Sequence, residues 1–355
     1  MNGDNGERKA ASYDPEMELK RWANFLTVRI SPEPDLYPTP REVIWKKNKA
    51  TVWHYKPEEK KYEVPLFLVY SPVTQPFILD MGKGNSMIEA FIKNGFDVYL
   101  LDFGSPGYED KDMTADDMIT QYVQRGIQRA LRHSGADEIT VIGYCLGGTI
   151  AAMYATIAEE PIKNLILSVA AIDTSVVPFF DQWANVARRG EVSFDRLFDA
   201  FGLVTAKAME AGMRLVTYPI YFTPYLSLLN KAYDDEYIDK WKRLNKWTNS
   251  HVPFSGAAMK QLSNDLGRDN KLIDGGLVID GKKAELKNIK ANLLVVSTDL
   301  DKLVLKENSA RVVELVSSED KTFIIENGGH TTNAYDGELP AFLADWLPER
   351  SRPLI

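Results

Sequence analysis

Glu138-Ile-Thr-Val-Ile-Gly143-Tyr144-Cys145-Leu146-Gly147-Gly148-Thr149-Ile150 is the stretch that decides the fold. A short apolar, β-branched run reads as a buried strand. G-x-C-x-G-G follows, and then small residues from about Gly147 to Ala158 read as a helix. Strand, sharp turn and helix lift one side chain to the carboxyl edge of a parallel sheet and aim it at the helix N-terminus. Here that side chain is Cys145, the only cysteine in the chain. A lone buried cysteine is ordinarily a small hydrophobe; Gly143, Gly147 and Gly148 around it turn the reading towards a nucleophile.

Upstream of this elbow, Thr51 to Tyr55, Val64 to Tyr70 and Asp97 to Leu101 read as strands. Asn85 to Asn94, closed by Gly95, and Ala115 to His133, ended by Gly135, read as helices between them. Downstream, Asn164 to Ala170 is a further strand. Strands alternating with helices imply a mostly parallel sheet covered on both faces. The alternation stops near Asp173, and about 110 aromatic-rich, helical residues follow, with Phe179, Phe180, Trp183, Phe194, Phe198, Phe201, Trp241 and Trp247. They include Val216-Thr-Tyr-Pro-Ile-Tyr-Phe-Thr-Pro-Tyr225. Together they suit a cap over an apolar acyl site. Asp280-Gly281 marks a hairpin turn. Strands at Asn292 to Thr298 and Lys321 to Glu326, and a helix from about Leu339 to Leu347, resume the sheet. The expected architecture is an α/β-hydrolase fold: an N-terminal tail, helix and linker over 1–39, core over 40–173 and 286–355, and a cap insertion over 174–285. In the first segment, Met1 to Ser12 is expected to be a disordered tail. Pro15 to about Val28 is an amphipathic helix, held off the main body by the proline-rich Ser31 to Pro40. Docking a partner and packing on its own domain are both open to that helix.

Composition limits the function. With 355 residues, 45% hydrophobic and 26% charged, the chain has the make-up of a soluble globular protein. A net charge of -8 argues against a general nucleic-acid binder, although local cations or helix N-termini still suit an anionic substrate. One cysteine excludes an internal disulfide framework and fits a reducing cytoplasm. The polar N-terminus is not a secretory signal, and no run reaches the ~20 apolar residues of a membrane span.

A nucleophile needs a base, an acid and an oxyanion hole. In this fold the acid and histidine follow the nucleophile in chain order. Of four histidines, His54 lies in an early strand, His133 at a helix end and His251 in the insertion. His330 follows a strand and Gly328-Gly329, where a loop would carry an imidazole back over the elbow. The acid lies in Asp299-Leu300-Asp301-Lys302, and spacing does not separate Asp299 from Asp301. The oxyanion donors are the N–H of Leu146 and one in Ser71 to Pro76. Val73 is the expected second donor, because Pro72 has no N–H. A thiol at a helix N-terminus beside an imidazole ionises near neutral pH. Its attack on a thioester exchanges one thioester for another and leaves the acyl group activated for transfer to an alcohol. A cysteine elbow therefore leans towards acyl transfer.

Thr39 to Ala50, Phe77 to Asp80, Asp97 to Gly104, Gly143 to Thr149, Trp247 to Pro253, Asn270 to Gly275 and Lys287 to Asn292 resemble polyhydroxyalkanoate synthases. The likeness runs from about Pro40 to the C-terminus, and the short chain is similar to the class III or IV catalytic subunits. The resemblance implies that Cys145 takes a 3-hydroxyacyl group, 3-hydroxybutyryl above all, from coenzyme A as substrate. His330 is then the general base and Asp301 the acid that helps activate the attacking 3-hydroxyl. It also implies an accessory subunit of the PhaE or PhaR type and a cytoplasmic polyester granule surface, and it leaves open a dimer through the cap. No cofactor and no metal are expected. The sequence departs from the family at Lys302, where histidine is usual, and at Phe103, where tryptophan is usual. Thr74 stands in place of asparagine, and Thr331-Thr332 in place of small or apolar residues. Two other readings stand beside this one: a cysteine hydrolase of the dienelactone-hydrolase type, and a non-catalytic granule-associated protein.

Overall fold

Eight strands make one sheet in the computed structural model, which describes residues 14–176, 195–216, 223–331 and 338–354. The expectations for Met1 to Ser12, Phe179, Phe180, Trp183, Phe194, Thr332 and positions 217–222 lie outside the described residues. The strands are β1 (Glu42–Lys47), β2 (Ala50–Tyr55), β3 (Leu66–Val69), β4 (Val98–Asp102), β5 (Ile139–Tyr144), β6 (Ile162–Ser168), β7 (Asn292–Thr298) and β8 (Lys321–Glu326). Across the sheet they run β1-β2-β4-β3-β5-β6-β7-β8. β1, β2 and β4 pair antiparallel, and every pair from β4 to β8 is parallel. The mostly parallel sheet is as expected, β2 among its expected strands; β1, which pairs with β2 at the edge, is an addition. Leu66 to Val69, Val98 to Leu101 and Ile139 to Tyr144 are buried along their whole lengths. Each large apolar side chain so buried stabilises the sheet by about 1.5–3 kcal/mol. Burial on both faces is why these strands read as unbroken apolar runs rather than alternations.

The helices follow from the same pattern. α1 (Pro15–Thr27) is capped by Asp14, whose carboxylate accepts from the N–H groups of Glu16 and Met17. α2 (Met87–Lys93) is capped by Ser86. The single helix expected from Ala115 to His133 is instead a short α turn at Ala115–Asp117, a π-helical stretch at Met118–Gln124, and α3 (Arg125–Ser134). The π stretch buries Met118, Ile119, Tyr122 and Val123, a spacing that fits an ordinary α-helix equally well, so nothing in the sequence marked it. α3 ends at Gly135, left-handed at φ 69°. α4 (Leu146–Ile157) follows the elbow. α5 (Thr223–Lys231), α6 (Asp235–Thr248) and α7 (Ala341–Glu349) come later. Asp280 and Gly281, at φ 47° and 77°, form the turn between Val278–Ile279 and Lys282–Lys283, both left-handed as a tight hairpin demands.

The chain clusters into two compact units, Met1–Pro34 with Tyr218–Lys246, and Asp35–Thr217 with Trp247–Ile355. Within the described part of the smaller unit, α1 packs on α5 and α6. Val28, Leu228, Ala232 and Trp241 are buried there together, and Lys20 pairs with Asp235 at 2.7 Å. α1 also keeps an uncovered side: Leu19 and Leu26 are 74% and 71% exposed. Among the described residues, no helix is long and apolar enough to cross a membrane.

Candidate active site

Cys145 stands between β5 and α4 at φ 53°, ψ −130°, a conformation that costs a non-glycine residue about 1–3 kcal/mol. Its backbone is pinned on both sides. The N–H donates to the Ser168 carbonyl at 3.0 Å, and the carbonyl accepts from Gly148 and Thr149 in the first turn of α4. The glycines make the turn fit. A Cβ on Gly143 would lie 2.5 Å from the Cα of Gly148, and one on Gly148 would lie 2.6 Å from the Ala170 side chain. A Cβ on Gly147 would run into the Val69 carbonyl. The sequence signal is thus a packing requirement: α4 comes so close to β3 and β5 that side chains are excluded.

His330 comes from the loop after β8 and lines the same small cavity as the Cys145 thiol. Its Nδ1 bonds Asp301 Oδ2 at 2.7 Å. The Asp301 side chain is fully buried, and its other oxygen accepts from the N–H groups of Leu303 and Val304 at 2.8 and 3.0 Å. Burial works against a charge on His330. The facing Cys145 charge and the bonds to Asp301 and Cys145 outweigh it, and the imidazole is pushed up to about 10. The structure therefore brings Cys145, His330 and Asp301 together.

Asp299, left open by spacing, has a different place. It is exposed, and its Oδ1 accepts from the Gly328 N–H at 2.9 Å. A bond from the Leu300 N–H to the Gly328 carbonyl completes a clasp between the loops after β7 and β8. Asp299 shapes the loop, and Asp301 touches the imidazole. Lys302 is exposed, so the departure from histidine lies on the solvent side of the buried acid.

The other histidines stand elsewhere. His54 pairs in register with Tyr99 of β4, which is level with Val141 of β5. Cys145 is four residues further along β5 and three strands away, roughly 13 Å along and 14 Å across. His133 contacts His54 and Tyr99. His251 bridges to Thr74, and burial holds its imidazole below the usual range.

Leu146 opens α4, where first-turn N–H groups have no acceptor within the helix. Val73 lies in the loop after β3, beside the elbow, because Val69 is in register with Gly143. The Val73 carbonyl accepts from Val252 at 3.1 Å, and the Gln75 carbonyl accepts from the Trp247 indole at 3.1 Å. The Trp247 to Val252 segment thus braces the loop that carries Val73.

A cavity of about 30 Å³ beside the thiol is lined by Tyr70, Ile78, Leu79, Tyr144, Val169 and His330, among others. Apart from Cys145 and His330, the sequence reading gave this lining no role in the site. Val169 is its most informative member: a β-branched residue at φ 44°, held there by its N–H on the Val296 carbonyl at 2.8 Å. Strain of this kind gathers at functional sites, and no pattern in the apolar run Asn164 to Ala170 announces it. Asp102 ends β4, with Gly104 N–H on its carboxylate at 2.9 Å; burial pushes its carboxyl up.

The family described as alpha/beta hydrolase fold matches residues 81–336. The chain belongs to the α/β-hydrolase fold family. Its sequence relatives within that fold are named poly(3-hydroxyalkanoate) polymerase subunit PhaC. The protein of Haloferax mediterranei is 32% identical over 324 residues, which cover 88% of this chain and 64% of that protein. The protein of Haloarcula marismortui is 29% identical, covering 89% of this chain and 69% of its own. That of Allochromatium vinosum is 26% identical, covering 88% and 89%. The chain therefore spans a little under two thirds of the Haloferax relative and nearly all of the Allochromatium one. The resemblance inferred from motifs thus extends over most of this α/β-hydrolase chain.

Proposed function

We propose that the protein is an acyltransferase that polymerises (R)-3-hydroxyacyl-CoA, 3-hydroxybutyryl-CoA above all, into polyester with release of coenzyme A. The observation that carries this reading is the grouping of thiol, imidazole and carboxylate, with Cys145 and His330 lining one cavity and the buried Asp301 on His330 Nδ1, in a chain similar over 88% of its length to a PhaC subunit.

The chemistry follows from the geometry. His330 holds the thiol proton, and the Cys145 thiolate adds to the thioester carbonyl carbon. The N–H of Leu146, with that of Val73, receives the charge that develops on oxygen. The tetrahedral adduct collapses, the coenzyme A sulfur leaves with the proton from His330, and the acyl group stays on Cys145. The 3-hydroxyl of a second acyl group then gives its proton to His330 and attacks the enzyme thioester. An ester forms and the Cys145 thiolate is released. Asp301, fixed by two backbone N–H groups, holds the imidazole in the tautomer both steps need.

The apolar lining of Tyr70, Ile78, Leu79 and Val169 suits an acyl chain. At about 30 Å³ against the roughly 300 Å³ of a small ligand site, the cavity has to widen before one enters. An accessory subunit and a polyester granule are the proposed partners, and the exposed Leu19 and Leu26 of α1 are apolar surface such a partner would cover. Incubation with 3-hydroxybutyryl-CoA, with and without the candidate accessory subunit, tests the reading by assaying free CoA and insoluble polymer. CoA release with polymer supports it. Soluble 3-hydroxy acid without polymer favours a cysteine hydrolase, and no CoA release under any partner condition rejects catalysis on this substrate.

A further inference from the structure

Glu42, His54 and His133 form a second cluster, near the amino edge of the sheet. One ligand-capable atom from each lies within 4.8 Å of the other two. Glu42 opens β1, in register with His54 of β2, and His133 lies in the last turn of α3. His54 is buried, while Glu42 and His133 are exposed, so the cluster is open to solvent on one side.

The groups behind the cluster hold it in shape. His54 Nε2 donates to Asp97 Oδ1 at 2.6 Å, and Lys60 stands 3.6 Å from the other oxygen of that carboxylate. The same ring stacks on Tyr99 at 4.8 Å. Its Nδ1 faces Glu42 Oε1 at 3.0 Å. The His133 ring is held by its Nδ1 on the Tyr99 hydroxyl at 2.9 Å. An imidazole backed by a carboxylate on its far nitrogen is the support that metal-bound histidines have, because it fixes the tautomer and raises ligand basicity.

We propose that Glu42, His54 and His133 bind one divalent transition-metal ion of the zinc class. His54 Nδ1, the Glu42 carboxylate and the His133 imidazole are the protein ligands, and water completes the shell. Two imidazoles and one carboxylate select such an ion over magnesium or calcium, which take oxygen ligands. Binding displaces the proton between His54 Nδ1 and Glu42 Oε1 into solvent, with no change of oxidation state. Ligand atoms about 2.0–2.2 Å from zinc stand roughly 3.3–3.6 Å apart in a tetrahedron, so the triangle closes through small movements of the exposed Glu42 and His133. The ion would tie edge strand β1 to the end of α3, remote from Cys145.

The test uses the full chain carrying Cys145→Ala, so that the active-site thiol cannot bind zinc. After removal of metal by a chelator, it is titrated with zinc chloride by calorimetry, and its melting temperature is followed alongside. One zinc per chain and a rise in melting temperature are expected. Adding His133→Ala or Glu42→Gln should abolish both, and Asp97→Asn should weaken binding by about 10- to 100-fold. No saturable zinc binding, or binding unchanged by His133→Ala and Glu42→Gln, overturns the proposal.

Discussion

His330 and His54 each hold a buried aspartate on one ring nitrogen, Asp301 at 2.7 Å and Asp97 at 2.6 Å, and both imidazoles are held above their ordinary pKa. Bond lengths do not distinguish the two pairs. What differs is the group on the other nitrogen and the backbone that presents it. His330 rides a loop beyond the carboxyl edge of the sheet and faces a thiol raised by a strained turn. His54 is locked within a strand near the opposite edge and faces a second carboxylate. A histidine–aspartate pair is therefore a supply of basicity, and the third group decides what it serves.

The largest expected effect separates the two pairs outright. Cys145→Ala should lower CoA release by on the order of 10⁴-fold or more, with the fold retained by circular dichroism. His54→Gln should leave turnover per folded molecule within about threefold, because it touches neither Cys145 nor His330. A comparable loss of turnover from both variants would erase the distinction.

The two acids come next. Asp301→Asn should reduce kcat by about 10²- to 10⁴-fold, whereas Asp299→Asn loosens only a loop clasp and should cost less than about tenfold. Steady-state CoA release on the two purified variants decides, and equal losses would remove Asp301 from its special place.

The pH dependence of stability has a definite sign. The folded His330 imidazole, at about 10, binds its proton more tightly than the unfolded one near 6.5. Its contribution is therefore complete below pH 6.5 and is lost as pH rises through about 10. His54 is raised too, with burial opposing and Asp97 and Glu42 prevailing, so its contribution has the same sign. Melting temperatures measured across that range should fall less steeply in His330→Gln than in the parent; an unchanged slope would contradict the raised pKa.

The smallest expected effects are on stability alone. His54→Gln leaves Asp97 short of its charged partner and should cost about 1–3 kcal/mol in urea unfolding. Gly148→Ala, which forces a methyl onto Ala170, should cost about 1–3 kcal/mol. If Gly148→Ala unfolds at the same urea concentration as the parent, the close approach of α4 is not needed.

Legibility followed how local each signal was. Buried parallel strands announce themselves as apolar runs, and β7 begins and ends where its run does. Asp280-Gly281 specified its hairpin because the turn needs left-handed residues at both positions. The elbow was readable for the same reason: its three glycines are adjacent to the cysteine they serve. Asp299 and Asp301 could not be separated, because two residues' difference in a loop says nothing about which carboxylate turns inward. The π stretch at Met118–Gln124 and the strain at Val169 were invisible, since each satisfies an ordinary apolar pattern.

The sequence by itself determined the alternation of strands and helices, the turn that presents Cys145 and the candidates for its base and acid. Short-range sterics and hydrophobic periodicity suffice for these. Spacing left Asp299 and Asp301 open and the family resemblance pointed to Asp301; the tertiary structure set Asp301 on His330 and Asp299 on the Gly328 N–H. It alone laid Trp247 to Val252 along the Val73 loop, and it alone brought Glu42, His54 and His133 together. Those contacts join residues far apart in the chain, and sheet register and helix packing, which no local pattern encodes, set them.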